Sequence, residues 1–258
     1  MNIEQKVKLA AGASLLASLV AFSSTTHAAL SYSQDFESLD PNSATALSGD
    51  GWFIGNCLVG GGCWFGPGNE APNSPASGVN GYSALVTDQG GVGQGGVQLS
   101  VYSDYNPWSS FGGAGSQTLE TFVYRDIGII GAGDANQTIQ FNFDVKQGNI
   151  GDSTLGSQAW AYINVIKVSD SSFATLYNGQ FETTTVGTDW ISGSLDVTID
   201  ASWAGELLQI GFKNTTTEWD ASGVVYDNLS VAAVPVPAAA WLFGSAIVGI
   251  FAAKRKTR

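Results

Sequence analysis

The chain has 258 residues, 44% of them hydrophobic, with 22 acidic side chains against 10 basic ones and one histidine. Without its first 28 residues and its C-terminal tail, the body 29–237 keeps 4 bases and 21 acids, a net charge of −17, which repels phosphate and excludes nucleic acid as a partner. The one histidine, His27, lies outside that body, which therefore has no side chain for a Ser-His-Asp triad, a Cys-His dyad or a histidine-ligated zinc or iron site.

In chain order, Lys6 and Lys8 open a basic start, Leu9 to Phe22 is apolar apart from Ser and Gly, and SSTTHAA follows. Small residues stand at −3 and −1 of a cut after Ala28, which is the layout of a secretory signal peptide over 1–28. As a first membrane helix the run is short. Next come the strand-like YSQDFE (Tyr32–Glu37) and GWFI, then two cysteines, Cys57 and Cys63, in GNCLVGGGCWFG. An exported chain meets an oxidising compartment, and three glycines let the loop turn back, so a Cys57–Cys63 disulfide is expected. GVGQGG (Gly91–Gly96) fits the dinucleotide fingerprint, but strand-like VQLSV follows where that motif needs a helix, so it reads as a loop.

From there strand signals recur between Gly, Asn, Asp and Ser turns. They are TLETFVYRDI (118–127), QTIQFNFDV (137–145), AWAYINVIKV (159–168), WISGSLDVTID (190–200), ELLQIGFKN (206–214) and GVVYDNLSV (223–231). In the second, Ile139, Phe141 and Phe143 alternate with Gln140, Asn142 and Asp144, as in a strand with one buried face. The expected fold is all-β: a two-sheet antiparallel β-sandwich, a jelly roll of eight to ten strands over 29–233.

Tryptophan and tyrosine can stack on the C–H faces of sugars while amides and carboxylates bind hydroxyls. Trp160 and Trp190 fall inside strand patterns and are expected in the core. Trp52, Trp64 and Trp108 stand close to Gly, Pro or Asn and are expected at loop surfaces. YSDYNPWSS gathers Tyr102, Tyr105, Asn106 and Trp108 into the best candidate ligand loop.

The tail begins Val234-Pro235-Val236-Pro237. Ala238 to Ala253 carries no charge, contains the amphipathic Trp241, and would make a helix of about 24 Å, short for a hydrocarbon core of about 30 Å. Lys254, Arg255, Lys256 and Arg258 follow and hold the end on the cytoplasmic side. Read alone, this is a single-span anchor. AAAWLFGSAIVGI (Ala238–Ile250) with the prolines and the basic end resembles the PEP-CTERM sorting signal, and departs from it at Val236, where that family has Glu. The resemblance implies an exported protein of a Gram-negative bacterium, held at least transiently in the inner membrane, whose tail over 234–258 an exosortase recognises and removes. The destination would be the cell surface or extracellular matrix.

DFES with Glu37 and VVYDNLSV with Asp227 are similar to carbohydrate-binding jelly rolls of the galactose-binding-like kind. That resemblance implies first and last strands side by side and a structural calcium ion held by Glu37 and Asp227, with Asp35 as a third ligand. The function expected is non-enzymatic: a surface or matrix protein that binds exopolysaccharide. The alternatives are a carboxylate-based glycoside hydrolase or lyase, and a purely structural sandwich.

Overall fold

The computed structural model describes residues 30–58, 62–65, 70–72, 81–103, 119–148, 158–216 and 222–235. The signal-peptide segment, Val236, Pro237, Trp241 and the basic tail lie outside the described residues, as do Tyr105, Asn106 and Trp108. Among the described residues no helix is long and apolar enough to cross a membrane.

The strands are β1 (Tyr32–Gln34), β2 (Trp52–Leu58), β3 (Cys63–Phe65), β4 (Glu70–Pro72), β5 (Gly81–Val86), β6 (Gln98–Ser103), β7 (Leu119–Ile129), β8 (Thr138–Gln147), β9 (Gln158–Ile166), β10 (Thr175–Glu182), β11 (Ile191–Thr198), β12 (Leu207–Thr216) and β13 (Ser222–Ala233). One sheet runs β11-β8-β13-β6-β5-β4 with β1 added on β13, and the other runs β10-β9-β12-β7-β2-β3. All pairs are antiparallel except β4 with β5.

The topology is that of a rolled ribbon. β6 pairs with β13, β7 with β12, β8 with β11 and β9 with β10, so the last eight strands fold back on themselves as one long antiparallel pair. Its successive rungs fall alternately in the two sheets, which makes the sandwich a jelly roll. The first strand lies against the last: Tyr32 faces Val231 and Gln34 faces Leu229.

Strand periodicity places the core. On β8, Ile139, Phe141, Phe143 and Val145 are buried and their polar neighbours are not. Between the sheets Phe212 stacks on Tyr226 at 3.8 Å, and Phe143 meets both edge-on. The Tyr226 hydroxyl is buried there and shares a 2.8 Å hydrogen bond with Thr183.

Two aromatic residues expected at ligand loops belong to the packing instead. Trp52 is only 2% exposed, because the alternation of β2 turns it inward, where it stacks on Phe212 and packs against Phe36 and Tyr32. Tyr102 lies within β6 and is buried with Ala84, Val86 and Val225 under Trp190. Trp160 departs the other way: it is half-buried on the outward face of β9. The strand count also exceeds the expected eight to ten, through β3, β4 and β10. In β10 an Asn-Gly pair, Asn178-Gly179, occurs mid-strand where the composition reads as a turn.

Candidate functional site

The outer face of the six-stranded sheet carries three parallel rows of side chains. Strand register aligns Gln180, Tyr162, Gly211, Tyr124 and Phe53 in one row across five strands. Two residues along, about 7 Å away, register aligns Glu182, Trp160, Lys213, Phe122, Gly55 and Phe65. On the other side stand Asn178, Asn164, Gln209 and Asp126. An open trough of about 320 Å³ lies among these rows, lined by Phe122 and Lys213, by Gln180, Tyr162 and Tyr124, and by Asn178, Asn164 and Gln209.

Its floor depends on a glycine. A Cβ at Gly211 would overlap the ring and hydroxyl of Tyr162, so the absence of a side chain lets that ring lie across β12. Two of its lining rings, Phe122 and Tyr124, belong to an aromatic cluster that continues beyond it: Phe53 stacks on Tyr124 at 5.1 Å, Tyr124 on Phe122 at 6.2 Å, and Phe65 meets Phe122 edge-on. Phe53 and Phe65 remain 51% and 67% exposed, an unusual display of large apolar rings. One flank is amide-rich. Asn178 donates to Asn164, and Gln209 donates to Asp126 at 3.0 Å. Lys213 is already engaged, 3.6 Å from the Glu120 carboxylate and 4.7 Å over the Trp160 ring. Burial raises the Tyr162 hydroxyl above its ordinary pKa, and raises Tyr124 likewise with help from Asp126, so both remain neutral phenols that can donate and accept hydrogen bonds.

The β2–β3 hairpin that presents Phe65 is closed by a disulfide. Cys57 and Cys63 stand directly opposite and are bonded, with Cα atoms 4.1 Å apart. Trp64 lies between Cys63 and Phe65 in β3, and its side chain is outside the described set.

The second locus is an acidic seam on the other sheet. Glu37 follows β1 and accepts hydrogen bonds from the backbone of Gly96 and Val97 at 2.7 and 2.8 Å, tying down the glycine loop between β5 and β6. Asp227 sits at a bulge in β13, where register slips between Asp227 and Ser230 and Asn228 takes a left-handed backbone at φ 50°. Asp227 stands opposite Asp144 of β8 and is wholly buried. Its Oδ1 accepts from the Asn228 amide at 2.6 Å, but Oδ2 has no hydrogen-bond partner. Gln98 Oε1, on the adjacent strand, is likewise buried without a partner. Burial, and then the charges of Glu37, Asp144 and Asp35, push the Asp227 carboxyl up to about 7. Asp144 behaves oppositely: burial would raise it, but hydrogen bonds from Asn228, Gln94 and Ser192 hold it below its usual value.

Structure thus brings Glu37, Asp35 and Asp227 into one electrostatic neighbourhood, as the two terminal strands imply. Among the described residues no three His, Cys, Asp or Glu side chains close into a ready metal cage. The trough was not legible from the sequence. Phe122, Tyr124, Trp160 and Tyr162 lie in strands apolar on both faces, and only the pairing register reveals that they share one outer surface.

No protein-family model matches the chain, and no curated protein does. Solved structures of similar layout exist. The enzymatically active domain of tailspike protein 4 of bacteriophage CBA120 has 9% identity and a TM-score of 0.45, covering 76% of this chain and 20% of that one. A structure described as CBM4 has 13% identity and a TM-score of 0.38, covering 72% and 96%. The CBM22-1 xylan-binding domain of Xyn10C from Paenibacillus barcinonensis has 10% identity and a TM-score of 0.38, covering 60% and 83%. This chain thus spans about a fifth of the tailspike chain. At this level the likeness concerns the sandwich alone.

Proposed function

We propose that this chain is an exported, non-enzymatic protein of the cell surface or extracellular matrix that binds exopolysaccharide in the trough of its six-stranded sheet. The observation that carries the reading is the trough itself: aromatic rings along one flank, amides along the other, and a glycine that flattens the floor between them. Sugar rings match such a surface, with C–H faces for the aromatics and hydroxyls for the amides. In this reading the sorting tail and the exosortase deliver the protein outward.

Within the trough, carboxylate spacing weighs against glycoside hydrolysis. That chemistry uses two carboxyl groups about 5–10 Å apart. Glu120 and Asp126 are six residues apart on β7, about 20 Å, and Glu182 lies three strand spacings from β7, about 14 Å. Glu120 is also paired with Lys213.

Calcium fits the acidic seam by its donor set. Asp227 Oδ2 and Gln98 Oε1 are buried oxygens without partners, beside further carboxylates, and a hard cation takes oxygen ligands. Asp227 Oδ2 and Gln98 Oε1 would be the ion's nearest ligands, with Glu37 and Asp35 adding negative charge around it. When bound, it would neutralise charge that the β13 bulge buries, joining the first strand to the last.

The test is a glycan array probed with the full-length chain, with and without calcium, beside Tyr124→Ala. Binding that the variant loses supports the trough. Binding that the variant keeps, or depolymerisation of a bound polysaccharide, overturns the reading.

A further inference from the structure

We infer that the trough takes a neutral polysaccharide laid across the strands, and turns away chains bearing uronate or phosphate groups. This rests on the reading of the trough as a glycan seat and adds the class of glycan.

The first reason is charge. Glu120, Asp126 and Glu182 are on or beside the trough, and Lys213 is the base among them. That lysine is committed to Glu120 and to the face of Trp160, so its charge is already balanced. Anionic glycans are held through free arginine or lysine, most strongly as charge-assisted pairs. With Glu120 paired to Lys213, an arriving carboxylate would meet the charge of Asp126, within the field of a body carrying 21 acids and 4 bases.

The second reason is the kind of polar group offered. Asn164, Asn178, Gln180 and Gln209 each present both a donor and an acceptor. An uncharged hydroxyl needs that pairing, whereas a carboxylate or phosphate oxygen uses donors only. The Asn178 to Asn164 bond leaves an amide nitrogen on Asn164 and an amide oxygen on Asn178 for a ligand.

The third reason is shape. The lining part of the row, from Gln180 to Tyr124, crosses three strand spacings, about 14 Å. That is longer than one sugar ring and suits a chain segment. One end of this row is formed by the edge strand β10, and exposed Phe53 stands beyond Tyr124 at the other. At β10 the row meets the sheet edge, so a chain can continue past that end.

Affinity electrophoresis of the full-length chain tests this. The gels contain barley β-glucan, xylan or galactomannan as neutral polymers, and alginate or polygalacturonate as anionic ones, each at low and high salt. The expected result is retardation by at least one neutral polymer, little changed by salt, and none by either anionic polymer. Tyr124→Ala, with an unchanged melting curve, is expected to weaken retardation about tenfold. Asp126→Lys is expected to admit the anionic polymers at low salt. Retardation of the native chain by alginate or polygalacturonate as strong as by neutral polymers overturns the neutral-glycan inference and leaves the trough as a glycan seat. Retardation by none of the polymers overturns the glycan reading itself.

Discussion

The ring of Tyr162 lies across Gly211, its cross-strand partner, so closely that a methyl group at 211 would overlap the phenol and come within 2.6 Å of the Val123 carbonyl oxygen. A row of the trough thus depends on the absence of a side chain. Gly211→Ala is expected to cost about 1–3 kcal/mol through overpacking. It should weaken glycan retardation as Tyr162 is displaced. Urea denaturation and affinity gels measure the two effects, and an unchanged urea midpoint would refute the packing argument.

The Cys57–Cys63 bond closes a loop of few residues and should contribute about 2 kcal/mol. The double serine variant is expected to unfold earlier in urea by that amount. Alkylation of the native protein without reductant should label neither cysteine. Because the bond pins the hairpin that sets Phe65 against Phe122, reduction should also lower glycan affinity.

Asp227 predicts an unusual pH dependence when chelator is present. Its folded pKa of about 7 exceeds the unfolded value of about 3.9. The folded state therefore holds a proton that the unfolded chain has released, and the stability it contributes is lost as pH rises through about 7. In chelator the melting temperature should be lower near pH 8 than near pH 5.5, relative to Asp227→Asn. Calcium should restore most of the loss at the higher pH. Parallel pH profiles for the native chain and Asp227→Asn would remove the buried carboxylate from the account, and a melting curve insensitive to calcium would remove the ion.

The buried pair Tyr226–Thr183 gives a fourth test. Tyr226→Phe leaves the Thr183 hydroxyl buried without its partner and should cost about 1–2 kcal/mol. Tyr226→Phe with Thr183→Val replaces both polar ends and should recover much of it. A double variant less stable than the single one would show that the bond is not the source of the effect.

How much of this was legible beforehand follows from periodicity. The strict alternation of Ile139, Phe141 and Phe143 with Gln140, Asn142 and Asp144 fixes both the strand and its buried face. The adjacency of the Glu37 and Asp227 segments is implied only by the resemblance to carbohydrate-binding jelly rolls, and the β1–β13 pairing shows it. Alternation is silent where both faces are apolar. Phe122 and Val123, or Tyr162 and Ile163, look equivalent until pairing assigns one of each to the core. Trp52 follows glycine and looks like a loop residue, yet Gly51 only ends the preceding turn at φ 85° and Trp52 begins a strand. In β10, Asn178-Gly179 imitates a hairpin turn, yet both residues pair within the strand, Asn178 with Asn164 and Gly179 with Ile163.

The rolled ribbon has a kinetic consequence. Leu99 and Tyr226 stand side by side although 127 residues separate them. β13 runs with β8 along one side and with β6 and β1 along the other, so it is the piece that joins two otherwise separate halves of its sheet. Loop closure of that span is slow, and the local hairpin β9–β10 can form long before it. While a nascent chain waits for β13, the apolar inner faces of β6 and β8 have open edges beside them, and such edges are where chains pair wrongly with one another. The strand made last therefore governs how long the growing chain is exposed to self-association, although the ligand trough lies on the opposite sheet.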